Sequence, residues 1–475
     1  MKKTTIVIIY SVIFLLSAGF TLSAHAQTSR SEATKRLISR MEMFSPRIVE
    51  VATNVYTAIG YQVTTNTMIV GEDGVIIIDP GQAPPFAEPV INEFQKITNK
   101  PVKAIILTHG HGDHAGATPA FMDLGDNIEI WARANYGSEM RRTSTNGLSG
   151  GVRPSNTQGF DLPAEQRLGV GIAIPPARPP AAAMMMRDGL NDRQQSPQRK
   201  MEIINNLVLP THTFSGERQT LSVAGVELEL VAAPGETDDQ LYVWLPKEKI
   251  VFAGDNFYQS WPNVYPLRGT ARRSVRNWIA SLNKMIAENP IHLVGGHTSP
   301  ILDNALEVLT NYRDALKWVH DRTIEGAKKF MTPDELVVYA ALPPRLAELD
   351  YLADYYGSVE GTVRDIYAQD LGWFDGDVLS LHRETPIKEA ERMASLAGSV
   401  ETLMEKAKVA MENGDPLGAA KLVRHVIRLR PDDGEAKLLM ADALAIIGEQ
   451  TFNAPVRNYT LSSSNRYRLE ATEAN

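Results

Sequence analysis

The chain has 475 residues, more than one compact core usually holds, so two or three domains are expected. Its composition, 43% hydrophobic and 22% charged, excludes collagen-like and globally disordered proteins. The net charge of −8 argues against a nucleic-acid partner, because phosphate contacts need clustered Lys and Arg. The absence of cysteine excludes disulfides and thiolate ligands, so any metal site must use His, Asp and Glu.

The first 26 residues have the pattern of a secretory signal peptide. Lys2 and Lys3 give a basic start, an apolar run extends over Ile6–Phe20, and Ala24-His25-Ala26 fits a cleavage site. The apolar run is short for a membrane span, which disfavours an uncleaved anchor. We therefore expect residues 1–26 to be removed, no stable membrane insertion afterwards, and a periplasmic or secreted mature protein.

Between about Ile48 and Gly296, short apolar runs alternate with turns and helix-like stretches. The runs are rich in Val and Ile and have the length of strands. They are Gly74–Ile78, Val102–Leu107, Ile128–Ala132, Val226–Val231, Leu241–Leu245, Ile250–Phe252 and Ile291–Val294. Helical patterns cover Phe86–Thr98 and Ser274–Glu288. Alternation of this kind predicts an α/β sandwich.

A Pro- and Met-rich stretch at residues 175–186 interrupts this pattern. Its proline-rich start cannot form a regular element. The stretch is either a solvated loop or a wall over an apolar substrate, since Met side chains pack adaptably.

From about Asn304 the pattern becomes helical. Near the C-terminus, helices are predicted over Leu396–Glu412, Pro416–Arg430 and Gly434–Gly448, with Pro and Asp at the breaks between them. This region resembles about one and a half tetratricopeptide repeats, too few for a free-standing array. It therefore needs another surface to cover its apolar face, which favours docking on a domain or a second subunit.

The strand predicted over Val102–Leu107 leads directly into the sequence T-H-G-H-G-D-H at Thr108–His114. The glycines in this segment relax the backbone, so that neighbouring side chains can converge. Imidazoles and a carboxylate together suit zinc, and also manganese or iron. A cluster of this kind is rarely structural alone. Its potential ligands are His109, His111, Asp113 and His114.

Three later strands end in the same way, with glycine followed by a ligand-type side chain. These side chains are Glu236, Asp255 and His297. Each one alone is a weak signal, because an Asp after a strand often only caps a turn. Following the first cluster in this order, they indicate one shared site.

These residues resemble the metallo-β-lactamase superfamily. The match comprises its H-x-H-x-D-H motif at His109–His114, its later acidic bridge at Asp255, its final histidine at His297 and a structural aspartate at Asp79. Most members of the superfamily have His where this chain has Glu236.

Glutamate at that position resembles the alkylsulfatase family within the superfamily. The segment P-N-V-Y-P-L-R-G at Pro262–Gly269 is similar to a segment of that family. So are Leu342-Pro343-Pro344, Tyr355-Tyr356-Gly357 and Leu371–Gly376, which match its helical dimerisation region. The resemblance extends from about Pro46 to Leu461.

The resemblance implies an αββα sandwich over residues 27–303, an all-α, tetratricopeptide-like dimerisation domain over residues 304–462, a C-terminal tail over residues 463–475, and a homodimer. It also implies two zinc ions per chain, with manganese or iron as alternatives. His109, His111 and Glu236 would hold one ion, Asp113, His114 and His297 the other, and Asp255 would bridge them. Asp113 and Asp255 are also the candidate catalytic residues. A metal-activated water would release inorganic sulfate and an alcohol from a small-molecule sulfate ester.

A charge count bears on how such a substrate is bound. The positive charge of two divalent ions is cancelled by Asp113, Glu236, Asp255 and a hydroxide, so attraction for an anion needs an added cation. Arg268 in the matched segment is the best candidate, because a guanidinium binds tetrahedral oxyanions at two points. Tyr265 in the same segment is a second candidate substrate-binding residue.

Two features depart from the alkylsulfatase pattern. The family carries Glu at the bridging position, where this chain has Asp255. Its members also end in a sterol-carrier-like domain, whereas this sequence stops after the helical region, which leaves the length of the alkyl group open. The role of His212 stays open as well.

Two other functions are compatible with parts of the pattern. The same fold hydrolyses lactones, β-lactams or phosphodiesters, although Glu236 argues against a β-lactamase. Alternatively, the metal site is structural and the helical region is a scaffold for a partner.

Overall fold

The computed structural model describes residues 30–139, 157–159, 162–163, 166–168 and 208–473. The predicted signal peptide and the Pro- and Met-rich stretch at residues 175–186 lie outside these ranges. Within them, no helix is both long and apolar enough to cross a membrane.

Two β-sheets form the N-terminal part of the chain. The first has the strand order β1-β2-β3-β4-β5-β6-β7, antiparallel as far as β4 and parallel from β4 onwards. The second has the order β12-β11-β10-β9-β8, antiparallel except for the parallel pair β11 and β12. The strands are β1 (Arg47–Ala52), β2 (Val55–Ile59), β3 (Asn66–Val70), β4 (Val75–Ile78), β5 (Val102–Ile106), β6 (Glu129–Arg133), β7 (His212–Phe214), β8 (Arg218–Val223), β9 (Val226–Ala232), β10 (Leu241–Leu245), β11 (Ile250–Gly254) and β12 (His292–Gly295).

The two sheets pack face to face through a buried apolar layer. Ile76 and Ile106 of the first sheet share this layer with Leu230, Val243 and Phe252 of the second. Several of these strands are buried on both faces, which is why their sequences are nearly continuous apolar runs.

Helices cover the outer face of each sheet. Helix α2 packs Val90 and Phe94 on the first sheet, and helix α5 packs Trp278 and Leu282 on the second. The αββα sandwich predicted from the sequence is therefore confirmed. The helices of this region are α1 (Glu32–Arg40), α2 (Pro84–Ile97), α3 (Gly112–Ala115), α4 (Thr118–Met122) and α5 (Val275–Ala287).

The C-terminal part is helical, as predicted. Its elements are α6 (Ala305–Ala327), α7 (Pro333–Tyr339), α8 (Pro344–Ala347), α9 (Val359–Leu371), α10 (Pro386–Ala397), α11 (Val400–Glu412), α12 (Pro416–Leu429), α13 (Gly434–Gln450) and α14 (Ala454–Glu473). Helices α10 to α13 enclose a core of their own. Helix α14 continues through the predicted boundary at residue 462 and packs along α13.

The first helices of this region share one core with the sandwich. Leu309 of α6 and Val363 of α9 belong to the same buried cluster as Trp278 of α5 and Val251 of β11. The side chains of α6 and α9 therefore complete the outer layer of the second sheet.

Backbone pairing also joins the two parts close to the end of β11. Trp261 donates its backbone N–H to the carbonyl of Ala353 at 2.9 Å, and Gly357 donates to the carbonyl of Trp261 at 3.0 Å. The hydroxyl of Ser260 accepts the backbone N–H of Tyr356 at 2.9 Å. These bonds fix Tyr356 against the sandwich.

Helix α1 links the N-terminus to the helical region through two arginines. Arg36 pairs with Asp350 at 2.8 Å and donates to the hydroxyl of Tyr355 at 3.1 Å. The guanidinium of Arg40 lies 3.8 Å from the centroid of the Tyr355 ring, close enough for a cation–π contact.

Candidate metal centre

The H-x-H-x-D-H segment covers the turn after β5 and the first residues of the short helix α3, which contains Asp113 and His114. Asp79, which follows β4, holds this turn by accepting the backbone N–H of Thr108 at 2.8 Å and its hydroxyl at 2.7 Å. Asp79 has a φ of 52°, a left-handed conformation that Asp and Asn tolerate better than bulkier residues. The ends of two parallel neighbouring strands are thereby tied together.

The structure brings six of the seven predicted ligands into two groups. The first contains His109, His111 and Asp255, and the second contains Asp113, His114 and His297. Within each group, the potential ligand atoms all lie within 4.8 Å of one another. Asp255 lies between the groups, with its Oδ2 3.8 Å from His109 Nε2 and 3.1 Å from His297 Nε2.

Each of the four imidazoles is held by an acceptor on the nitrogen that faces away from the centre. Nδ1 of His114 contacts Asp79 Oδ2 at 2.8 Å, and Nδ1 of His297 contacts the carbonyl of Val63 at 2.9 Å. Nδ1 of His109 and Nε2 of His111 contact Thr108 Oγ1 and Glu139 Oε1, at 3.1 and 3.4 Å. Such partners fix the tautomer that leaves the other nitrogen free to ligate.

The nitrogens that face inward lie close to one another. His109 Nε2 is 2.9 Å from His111 Nδ1, and His114 Nε2 is 3.3 Å from His297 Nε2. If the outer nitrogens carry the protons, these contacts join lone pairs, which repel unless a cation lies among them. The donor set of imidazole and carboxylate therefore fits divalent metal ions.

The carboxylates of the centre are strongly perturbed by the histidines. Burial opposes ionisation of Asp255, but His297 and His114 outweigh it and hold the pKa of Asp255 well below its ordinary value. Burial likewise opposes a charge on His114, but Asp255 and Asp79 raise its pKa well above the usual range. Tyr258, which the sequence did not single out, donates its hydroxyl to Asp255 Oδ2 at 2.9 Å and stacks on His297.

Glu236, the seventh predicted ligand, lies at the edge of the first group. Its Oε1 is 3.9 Å from His111 Nδ1, and its Oε2 forms an ion pair with the guanidinium of Arg273. Burial raises the pKa of Glu236 to about 7, although Arg273 acts in the opposite direction. Glu236 is thus shared between the metal centre and a buried arginine.

A cavity of about 270 Å³ opens over both groups. Its wall includes Arg268 and Tyr356, so the helical region contributes directly to it. Arg268 forms no ion pair or hydrogen bond with any residue that the structure describes, and its guanidinium is available to a ligand. Tyr265 does not line this cavity; it lies in an adjoining one of about 40 Å³ that shares Arg268 and Tyr356. The substrate-binding roles of Arg268 and Tyr265 stay predictions.

Three residues near the ligands were missed by the sequence reasoning. Glu139 supports His111, and hydrogen bonds from His111 and Thr270 overcome its burial to lower its pKa to about 2. Arg273 pairs with Glu236, and Gln158 lines the cavity beside Tyr356. Arg273 could have been singled out from the sequence, because it lies only five residues after Arg268. Glu139 and Gln158 have no local motif.

His212, whose role the sequence left open, lies away from the centre. Its ring is exposed on edge strand β7 and stacks on Trp131, with centroids 4.9 Å apart.

Two family models match the chain. The metallo-beta-lactamase superfamily matches residues 60–297, which contain every predicted metal ligand, and the alkyl sulfatase dimerisation family matches residues 332–470. Fold and ligand geometry thus define a protein of the metallo-β-lactamase class.

Curated relatives narrow the class. A linear primary-alkylsulfatase of Pseudomonas sp. (strain ATCC 19151) is 32% identical over 405 residues, which cover 84% of this chain and 72% of that protein. An (R)-specific secondary-alkylsulfatase of Pseudomonas sp. is 25% identical over 434 residues, which cover 89% of this chain and 62% of that protein. The chain belongs to the alkylsulfatase family of the metallo-β-lactamase superfamily.

The fold agrees with a solved structure. The stereoselective inverting sec-alkylsulfatase Pisa1 from Pseudomonas sp. superposes with a TM-score of 0.77 at 22% identity, covering 93% of this chain and 69% of that one. At this identity the likeness establishes the common fold of both parts of the chain.

The contact between Asp79 and His114 leads to a prediction about metal affinity. Asp79→Asn keeps the shape of the side chain but replaces the carboxylate that faces His114 Nδ1. We expect metal affinity to fall by about 10- to 100-fold, as is typical when such a partner is lost. Competition of a zinc-loaded protein with a chelator measures this change.

The matched control is Asp73→Asn, which lies in the turn between β3 and β4, six residues before Asp79. Asp73 is exposed, and its contact with Lys103 is a surface pair of 3.5 Å that contributes little. Equal zinc affinity in wild type and Asp79→Asn would contradict the role assigned to Asp79.

Proposed function

We propose that the protein is a binuclear zinc hydrolase of sulfate esters. Its substrates are alkyl sulfates, from which it releases inorganic sulfate and an alcohol. The observation that carries the proposal is that Arg268, which forms no ion pair or hydrogen bond with any described residue, lines the same cavity as both ligand groups. A guanidinium beside a metal centre suits an anionic group of the substrate, because it binds oxyanions at two points. The names of the curated relatives, which are alkylsulfatases, support the choice of sulfate.

The residues that would hold the two zinc ions form two sets, and Glu236 is added to the first set by the resemblance to the alkylsulfatase family. His109 and His111 would hold one ion together with Glu236, and Asp113, His114 and His297 would hold the other. Asp255, which lies between the groups, would contact both. When bound, zinc would lower the pKa of a water molecule to near neutrality and polarise the sulfate oxygens.

The chain's own residues would perform three further tasks. Arg268 would bind and orient the sulfate group at two points. Asp113, whose side chain is 31% exposed to the cavity, is placed to accept a proton from the attacking water. Tyr258 would hold Asp255 in its orientation through the hydrogen bond at 2.9 Å.

The identity of the alcohol is the open part of the proposal. The chain spans 72%, 61% and 62% of the lengths of three curated alkylsulfatases. The preference of this protein for a chain length is therefore a matter for direct measurement.

The proposed activity predicts sulfate release that depends on metal. Zinc-loaded protein is expected to release sulfate and alcohol in equal amounts from at least one member of a series of short, medium and long alkyl sulfates. Removal of zinc with a chelator should abolish the release, and zinc should restore it. Ion chromatography measures the sulfate.

The series also separates the proposal from the other reactions of this fold. If zinc-loaded protein releases no sulfate from any ester of the series, the proposal is wrong. Faster hydrolysis of nitrocefin or bis-p-nitrophenyl phosphate would instead support a β-lactam or phosphodiester substrate.

The role given to Arg268 predicts a change in substrate binding. Arg268→Met should raise KM for the sulfate ester by about tenfold or more, because the variant lacks the guanidinium that would hydrogen-bond the sulfate group. Arg268→Lys should restore the charge but not the two-point contact. Steady-state kinetics on the best ester of the series measures both variants.

Arg272→Met is the matched control, because it removes the same charge from an exposed position four residues away. A KM for Arg268→Met equal to that of wild type would contradict the assigned role.

We also propose that the protein is a homodimer. The region matched by the alkyl sulfatase dimerisation family exposes large apolar side chains in and around the connection between α9 and α10. They are Trp373, Val378, Leu379, Leu381 and Ile387, which are between 52% and 71% exposed. Such a patch is typical of a surface that another chain covers.

A dimer that uses this patch predicts a specific dissociation. The wild type should sediment as a dimer at micromolar concentration, and Leu379→Asp should shift it towards monomer by placing a charge in the interface. Phe330→Asp is the control, because Phe330 is 93% exposed but lies outside the matched region. A monomeric wild type in analytical ultracentrifugation would overturn the proposal.

A further inference from the structure

Arg273 is a charged side chain enclosed next to the metal centre. It is 2% exposed, as is its partner Glu236. Its Nη1 pairs with Glu236 Oε2 and donates to the carbonyl of Asn263 at 2.7 Å. Its Nε and Nη2 have no hydrogen-bond partner within the part of the chain that the structure describes.

The backbone of Glu236 is held without this arginine. The backbone N–H of Glu236 is anchored on Asn256 Oδ1 at 3.0 Å, and the side chain of Asn256 is fixed in turn by the carbonyl of Ala233 at 2.8 Å. A buried guanidinium with unsatisfied donors is costly. Its presence therefore points to a role for its charge.

The positive charge of Arg273 is matched by the negative charge of Glu236. Most relatives of the wider superfamily have a neutral histidine where this chain has Glu236, so the substitution adds one negative charge to the centre. Glu139, a second buried carboxylate, lies on the other side of His111 and interacts electrostatically with Arg273. Without Arg273, this excess of carboxylates would repel a sulfate ester.

We propose that Arg273 is a positioning residue that offsets the charge of Glu236 and so keeps the metal centre attractive to the sulfate group. The inference rests on the proposed sulfatase function. Arg273 is not among the residues that line the described cavity, so it acts through Glu236, whereas Arg268 faces the substrate directly.

The helical region supports this arrangement. Gln369 of α9 donates to the backbone carbonyl of Arg273 at 3.0 Å, and its side chain also bonds Asp365. The residue that sets the charge of the centre is therefore held by both parts of the chain.

The test measures binding of inorganic sulfate to the zinc-loaded full chain by calorimetry, together with zinc content by elemental analysis. Arg273→Met should keep both zinc ions and weaken sulfate binding by about tenfold or more, because one nearby unit charge is lost at low dielectric. Arg273→Lys should bind sulfate within about threefold of wild type, since it keeps the charge. Arg272→Met, an exposed neighbour, should leave sulfate binding unchanged.

A double variant keeps the inference testable if Arg273→Met does not fold. Glu236→His together with Arg273→Met removes both charges and should bind sulfate as wild type does. The inference is overturned if sulfate binding is unchanged in Arg273→Met. It is also overturned if the double variant binds sulfate as weakly as Arg273→Met does. Absence of sulfate binding by the wild type would overturn it too.

The measurement needs no turnover, so its failure differs from failure of the proposed function. If no sulfate ester is hydrolysed but the charge dependence of sulfate binding holds, the proposed function fails and the role of Arg273 stands. If esters are hydrolysed but sulfate binding ignores Arg273, only the inference fails.

Discussion

The buried carboxylate of Asp79 joins the ends of β4 and β5 and fixes the position of the metal motif. One of its oxygens accepts the backbone of Thr108, and the other is shared by the Thr108 hydroxyl and His114 Nδ1. A carboxylate so enclosed is stable only when its partners satisfy it. Strand pairing, the left-handed backbone at Asp79 and the orientation of His114 therefore depend on one another.

The sequence predicted most of what local patterns encode. Strands β4, β5, β10, β11 and β12 are buried apolar runs, β9 is buried and apolar at its C-terminal end, and the ligands follow four of these six strands. Because strand ends in a sandwich meet at one edge, the order of Glu236, Asp255 and His297 after the first motif was enough to place them together. Strands β1, β2, β3, β7 and β8 were missed, since their alternation is weaker and β8 is largely exposed.

What the sequence could not predict depends on contacts between distant segments. Glu139 supports His111 from beyond β6, with no motif around it, and Tyr356 reaches the cavity because Ser260 and Trp261 pair with residues 353–357. Tyr265 shows a related case: it shares the smaller cavity with Arg268, yet only Arg268 also reaches the larger cavity over the ligand groups. Proximity in sequence did not place both residues at the metal centre.

The helical region has a role in the site as well as in association. Its helices α6 and α9 close the outer face of the second sheet, its Tyr356 lines the cavity and its Gln369 holds the backbone of Arg273. The N-terminal helix α1 adds to the same junction through Arg36 and Arg40, whose guanidinium groups lie over Tyr355, the neighbour of Tyr356. Because Tyr356 lines the cavity together with Arg268, a shift of the helical region would alter the wall to which Arg268 belongs. The ligand side is built from strand ends of the sandwich, and the helical region reaches it indirectly, through Gln369 and the backbone of Arg273.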